Sequence, residues 1–329
     1  MVNYSVKRYN SELLGYWNSF IKESKNATFL LDRNYMDYHK HRFADYSLMV
    51  YNGNELIALL PLNIVETEVY SHQGLTYGGF VFGKNIRIKE AMECVYSVLK
   101  YLEENGIEKL NLKLLPDFYT TMPADDIKYI LWMLDAENYR MDTAMSVFKG
   151  QELNYQERRK RSINKSKKMN PEIKSTGHKE FEVFWENILE PNLMDRYGVK
   201  PVHTLEEILC LYNYFPENIR QYNVYVNGKI MAGATIYSTD YVSHAQYISG
   251  SPLGRAEGHL DYLFDYLIKN ELQIKNVFDL GICNEENGRN FNQGLLDWKE
   301  GFGGRACIHY FYSILPASKD KLLHHLNYA

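Results

Sequence analysis

The residues of this chain that could do chemistry fall into a dense basic run, a glycine-rich turn and a scatter of histidines. Residues 158–168, RRKRSINKSKK, hold Arg158, Arg159, Lys160, Arg161, Lys165, Lys167 and Lys168, although the whole chain carries a net charge of -4. On a helix, Arg158, Arg161 and Lys165 fall on one side. Such a side is either a solvated face or a set of contacts for phosphate oxygens, to which Arg offers a planar fork and Lys a mobile point charge. Stacking residues are scarce in the run, which disfavours single-stranded nucleic acid. The second phosphate candidate is SGSPLGRAEG, residues 249–258, where Gly254, Arg255 and Gly258 lie between a predicted strand and a predicted helix. Backbone N–H groups at such a junction either hold phosphate oxygens or simply make a turn. The stretch matches neither Walker A nor the dinucleotide fingerprint, so ATP hydrolysis and NAD chemistry have little support.

Acid–base groups are more dispersed. His39 and His41 are two apart and share no helix face. His203 precedes Glu206 and Glu207 at a predicted helix start, His244 alternates with Ser243 and Ala245 in a predicted strand, and His259 opens a helix. The sequence has no His-Glu-x-x-His, no cluster at metal-ligand spacing and no Gly-x-Ser-x-Gly. A bound metal, a metallohydrolase and a serine hydrolase are therefore not expected. What stays open is a reaction that needs proximity more than a strong nucleophile. Acyl transfer from a thioester or ester to an amine is of that kind, because the donor is already activated and orientation plus one base can suffice.

Elements must hold these residues in place. The chain has 329 residues and is 45% hydrophobic, enough for a sizeable core and for two domains. Cys94, Cys210, Cys283 and Cys307 form no Cys-x-x-Cys pair, which fits a reducing compartment. The start has no apolar stretch of signal-peptide type, and no segment reaches the roughly 20 apolar residues of a membrane helix. A cytoplasmic protein is expected, with contact to a membrane surface left open, and the acidic balance gives no reason to expect DNA binding. The segment YSLMVYNGNELIALLPLNIVE predicts a hairpin turning at Asn52-Gly53, and IKEAMECVYSVLKYLEENG predicts a helix over 88–106 followed by a strand. Residues 124–138 read as a further helix. The order then recurs: a hairpin at Asn227-Gly228, a glycine turn, a helix with the stripe Leu260, Leu263, Phe264 and Leu267, and a strand. The two Asn-Gly turns are 175 residues apart in this numbering. We read a duplicated α/β unit with mixed sheets, residues 1–150 and 151–329, the second opening with the basic helix.

With these segments in order, the chain resembles the Fem-type (FemAB-like) acyltransferases, built from two GNAT-like (N-acetyltransferase-like) domains. YGGFVFG (77–83) is similar to the glycine stretch of the family's first domain, and RRKRSINKSKKMN to the basic segment where its second domain begins. YISGSPLGRAEGHLDYLFDYLIKN is similar to the strand, loop and helix of the second domain. FDLGICNEENGRNFNQGLLDWKEGFGG is similar to the C-terminal Asp-x-Gly... Lys-x-x-Phe-Gly signature, the most specific match.

The resemblance implies a transferase of cell-envelope or polysaccharide biosynthesis. Its acceptor would be an amine on an envelope glycan precursor, free or lipid-linked, or on a nucleotide sugar. Donors are aminoacyl-tRNAs in the peptidoglycan branch, and acyl-CoA in looser members. No coiled-coil arm is visible, so acyl-CoA, in particular acetyl-CoA, fits better than tRNA. The pyrophosphate loop of GNAT domains matches Arg255-Ala256-Glu257-Gly258 only in part, which puts the donor in the second domain on Gly254, Arg255 and Gly258. His244, Tyr247 and Asp279 are then the candidates for general base or hydrogen bonder. Arg158, Arg161, Lys165, Tyr77 and Lys299 are the candidate substrate contacts, with Lys299 either touching substrate or fixing the loop. Two alternatives remain: an aminoacyl-tRNA-dependent ligase, and a degenerate acyltransferase fold that only binds.

Overall fold

The computed structural model of the protein describes residues 4–175 and 177–326. The chain forms two compact units, one of residues up to Asp142 together with those from Ile308 onward, the other of Thr143–Cys307. It changes unit inside the strand Glu137–Phe148 and again inside Arg305–Ile314, whereas the sequence suggested one division at 150/151. Neither crossing carries a Gly/Pro-rich linker, so composition does not mark it. The helix expected over 124–138 is shorter, Asp126–Met133. Asp135, at φ 50°, ends that helical path, and the strand begins at Glu137.

In the first unit the hairpin Leu48–Asn52 and Glu55–Leu60 pairs in antiparallel register within a four-stranded sheet that also holds Ser5–Arg8 and Val81–Phe82. Asn52 pairs with Glu55, so the turn residues are Gly53 and Asn54, one place later than the Asn-Gly dipeptide suggests. Gly53 supplies the left-handed φ of 59° that the tight turn needs. The helix Ile88–Glu104 follows the strand Val81–Phe82, and its Ala91, Met92, Val95, Val98, Leu99 and Leu102 enter the core. That spacing gives the helix one continuous apolar stripe. The strand Lys109–Lys113 returns beside Glu68–Tyr70 in parallel.

One edge of the strand Val81–Phe82 pairs with the hairpin. Its other edge is filled by a short segment of chain. The side-chain amide of Asn26 donates to Phe80 O at 2.7 Å and accepts from Phe82 N at 2.8 Å, and Lys25 N donates to Phe82 O at 3.1 Å. Asn26 thus supplies what a neighbouring strand would. Thr121 fastens the segment from outside, donating through its N and Oγ1 to Lys25 O. Lys25 is paired with Asp126. Between this segment and Leu114 only a small hollow remains, lined by Gly78, Phe80, Leu115 and Ile127 among others.

The second unit repeats the plan. The hairpin Ile219–Val226 and Lys229–Ser238 turns at Asn227-Gly228, with φ of 49° and 76°. Each hairpin carries a bulge at the same distance from its turn, the extra residue being Ile57 in one and Met231 in the other. The strand Val242–Gly250 follows, then the helix His259–Ile274 and the strand Val277–Ile282. Leu263, Phe264, Leu267 and Ile268 pack against Ile236, Ala245 and Phe278, each fully buried aromatic or aliphatic side chain contributing about 1.5–3 kcal/mol.

Candidate functional site

The strands Val242–Gly250 and Val277–Ile282 pair in parallel only from Val242–Val277 to His244–Asp279. Beyond that they part: among the described residues no backbone hydrogen bond joins 245–249 to 280–283. The last pair before the split is chemical. His244 Nδ1 lies 2.9 Å from Asp279 Oδ2. Asp279 is fully buried, and its Oδ1 accepts from Ser146 Oγ at 3.1 Å and from Gly281 N at 2.9 Å. A carboxylate only accepts, so Nδ1 of His244 carries a proton toward Asp279, and in the neutral ring Nε2 presents a lone pair. The His244 side chain is 15% exposed.

Gly281 and Lys299 shape the parting. Gly281 has φ 79°, and Lys299 Nζ donates to Gly281 O at 2.9 Å and Ile282 O at 2.8 Å. The register beside Ser146 slips between Asp279 and Ile282. Asp279 therefore holds the N–H of Gly281 and Lys299 holds its carbonyl, which explains why an Asp-x-Gly and a lysine at the end of a later helix belong together. Burial pulls the Lys299 pKa below its usual value, and the ammonium keeps its charge only with acceptors around it.

A second bulge sets the face of Tyr247. Opposite Thr235 and Ile236 stand Tyr247 and Ala245, leaving Gln246 as the extra residue. Strict alternation would place His244 and Tyr247 on opposite faces, and the bulge puts them on one. The Tyr247 hydroxyl accepts from His203 N at 3.1 Å and shares a hydrogen bond with His203 Nδ1, while its ring meets Trp185 edge-on at 5.1 Å. Burial raises its pKa well above the ordinary value, so it stays a neutral phenol.

The glycine-rich turn closes the far end of the split. Asn192 Nδ2 donates to Gly250 O at 2.8 Å and Ser249 Oγ at 2.9 Å, and Arg255 donates to the same Gly250 carbonyl. Burial and then the like charge of Arg196 depress the Arg255 pKa. Arg196 is one turn from Asn192 on the same face of the helix Glu190–Tyr197. The glycines are also packing positions. A Cβ on Gly254 would lie 2.0 Å from Met231 O, and one on Gly258, at φ 80°, would lie 2.3 Å from Ser162 O.

The basic run is the helix Glu157–Lys167, with Arg159, Ile163 and Ser166 inward. Arg159 holds both oxygens of Asp261 at 2.7 Å, and Trp298 Nε1 donates to the same carboxylate at 2.8 Å. Arg158, Arg161 and Lys165 are exposed together, Lys165 pairing with Glu257 at 3.1 Å. Tyr77 belongs to the first unit, where its buried hydroxyl bonds Thr28 Oγ1 at 2.9 Å.

No protein-family model and no curated protein matches the sequence. Solved structures do. FemX aligns with a TM-score of 0.68 at 12% identity, covering 97% of this chain and 99% of its own. L-PGS from Bacillus licheniformis gives 0.59 at 11% identity, with 97% of each chain covered. An acetyltransferase from the GNAT family of Colwellia psychrerythraea gives 0.51 at 10% identity, with 94% and 99% covered. The chain has the Fem-like fold of two GNAT-like units.

Within this Fem-like fold, sequence reasoning named His244, Tyr247 and Asp279 as candidates, of which the structure joins His244 to Asp279, and it missed several neighbours. Ser146 was unremarkable in its strand. Asn192 and Arg196 lie on a helix with no buried residue, and His203 looked like part of a helix start. Only the fold gives these residues their meaning, because their distances from residues 244–255 along the chain hide their contacts.

Proposed function

We propose that the protein is an N-acyltransferase using an acyl-CoA donor, in particular acetyl-CoA, in the second unit. The observation that carries this reading is the split between two parallel strands beginning at the His244–Asp279 pair. Unpaired backbone groups along residues 245–249 suit a thioester: its carbonyl oxygen would receive N–H donors as charge develops on it. His244 Nε2 takes a proton from the acceptor amine. The amine nitrogen bonds to the carbonyl carbon, the C–S bond breaks, and the thiolate leaves and takes up a proton. Tyr247, a neutral phenol on the same face, can hydrogen-bond the leaving sulfur, which takes its proton from solvent. Arg255, with Gly254 and Gly258 behind it, is suited to the donor's phosphates. Lys299 shapes the split and holds its backbone.

The acceptor in this reading is an amine on an envelope glycan precursor or a nucleotide sugar, with Arg158, Arg161 and Lys165 as a phosphate-facing surface. The similarity to FemX over nearly the whole of both chains favours a second reading, an aminoacyl-tRNA donor, to which the exposed basic helix face would also be suited. Native mass spectrometry of the full chain with acetyl-CoA, longer acyl-CoAs and charged tRNAs separates the readings. A one-to-one acyl-CoA complex that Arg255→Ala weakens is expected. Salt-sensitive binding of charged tRNA alone would transfer the reading to the ligase, and a folded protein that takes neither would leave a binding fold.

A further inference from the structure

The turn at Gly281 is clamped by Lys299, and the structure shows what holds Lys299 in turn. Its helix, Gln293–Glu300, has eight residues, and Lys299 is buried in it. A helix that short does not sustain itself and takes its position from its neighbours. The residue before Lys299 supplies the hold. The Trp298 ring meets Phe264 edge-on at 4.7 Å and Phe302 edge-on at 5.2 Å. Apolar packing has little directionality, so by itself it lets a short helix turn about its axis. The indole N–H removes that freedom, because Nε1 donates to Asp261 Oδ1 at 2.8 Å.

Asp261 cannot drift. It is buried on the helix His259–Ile274, and both its oxygens accept from Arg159 Nη1 at 2.7 Å. A carboxylate away from water is costly unless it is paired, and the charged bonds fix where it stands. The stretch before and around Arg159 also grips the end of the signature. Gln156 N donates to Gly301 O at 3.0 Å, and Gln151 Nε2 donates to Gly303 O at 2.6 Å. A Cβ on Gly301 would lie 3.0 Å from Arg159 Cγ. From Lys299 the bonds continue to the histidine. Its Nζ holds the carbonyls of Gly281 and Ile282, Asp279 holds the Gly281 N–H, and Asp279 also accepts from His244. Trp298 and Lys299 are neighbours on one rigid turn, so a rotation that frees the indole carries the ammonium away from its carbonyls.

We propose that Trp298 is a positioning residue: its bond to Asp261 sets the rotation of the helix Gln293–Glu300, so that Lys299 keeps the turn at Gly281, and through it the Asp279–His244 pair, in place. The kinetic part of the test rests on the acyl-transfer reading, and the exchange part does not. Trp298→Phe deletes the N–H and keeps a ring against Phe264 and Phe302. In amide hydrogen exchange of the full chain, the Gly281 N–H should exchange about tenfold faster or more in this variant, while Leu263 and Leu267 exchange as in wild type. With acetyl-CoA and glucosamine 1-phosphate as probes, kcat should fall about 10–100-fold and the KM for acetyl-CoA should stay within about twofold. Because Trp298 acts through Lys299, adding Trp298→Phe to Lys299→Met should lower kcat no further. Unchanged Gly281 exchange in Trp298→Phe overturns the proposal. So does equal acceleration at Gly281, Leu263 and Leu267, or a double variant in which the two losses multiply. Where Lys299→Met fails to fold, or wild type transfers nothing to this amine, the Gly281 exchange decides alone. A wild type that takes no acyl-CoA ends the acyl-transfer reading instead, and the same exchange still decides for or against Trp298.

Discussion

The two units share a hairpin with its bulge, a helix and a returning strand, but they treat the edge of one strand differently. In the second, among the described residues, the edge of Val242–Gly250 facing Val277–Ile282 has no ladder past His244. In the first, Asn26 and Lys25 satisfy the edge of Val81–Phe82, and Thr121 locks them there. A duplicated frame therefore leaves one strand edge open or covers it according to one short segment. The histidines differ in the same sense: the His244 side chain is partly exposed, whereas His72 is buried beside His39.

The largest effect should come from the open edge. His244→Ala and Asp279→Asn should each lower kcat about 10²–10⁴-fold in an acyl-transfer assay with little change in donor affinity. Full activity in both would end the assignment of the pair. The buried histidine of the first unit is tested by pH. Burial, then His39, lowers the His72 pKa from 6.5 to about 4. Because the unfolded chain takes this proton first, the contribution is complete above pH 6.5 and is lost as pH falls to about 4. The loss is on the order of 3 kcal/mol. Urea unfolding of wild type and His72→Phe at pH 7 and 4.5 checks this, since the variant should lack that part of the acid loss.

A smaller effect sharpens the contrast. Asn26→Ala should cost about 1–3 kcal/mol in thermal unfolding, because it strands a buried N–H and C=O, and should leave donor binding unchanged. A second bound donor in that variant would show the covering segment to be a mere lid. Smallest of all, Arg158→Ala with Arg161→Ala should change stability by less than about 0.5 kcal/mol, as exposed positions do, while raising the acceptor KM. An unchanged KM for every phosphorylated acceptor removes the basic face from the site.

Much of the frame was legible because it is written in local patterns. Asn-Gly turns, the stripe from Met92 to Leu102 and that from Leu263 to Leu267 each follow from spacing alone. The Asp-x-Gly and Lys-x-x-Phe-Gly pieces were visible as well, but their link through Gly281 was not, since it rests on a left-handed φ. The bulge at Gln246 was equally hidden: one extra residue reverses the alternation, and nothing in Ala245-Gln246-Tyr247 announces it. The cover at Asn26 depends on contacts across more than fifty positions of sequence, where side-chain identity alone says little. The place where the chain changes unit was illegible for a related reason, as a strand that passes from one unit to another keeps an ordinary strand composition.

That passage has a consequence for biosynthesis. Ile314, Leu322 and Leu326 belong to the first hydrophobic core although they are translated after the whole of Thr143–Cys307. A nascent chain emerging from the ribosome must therefore wait, with part of its earliest core uncovered, until the later unit has been made. Truncating the tail would strip the part that was synthesised first, and a helper that shields nascent apolar surface would matter most during that interval.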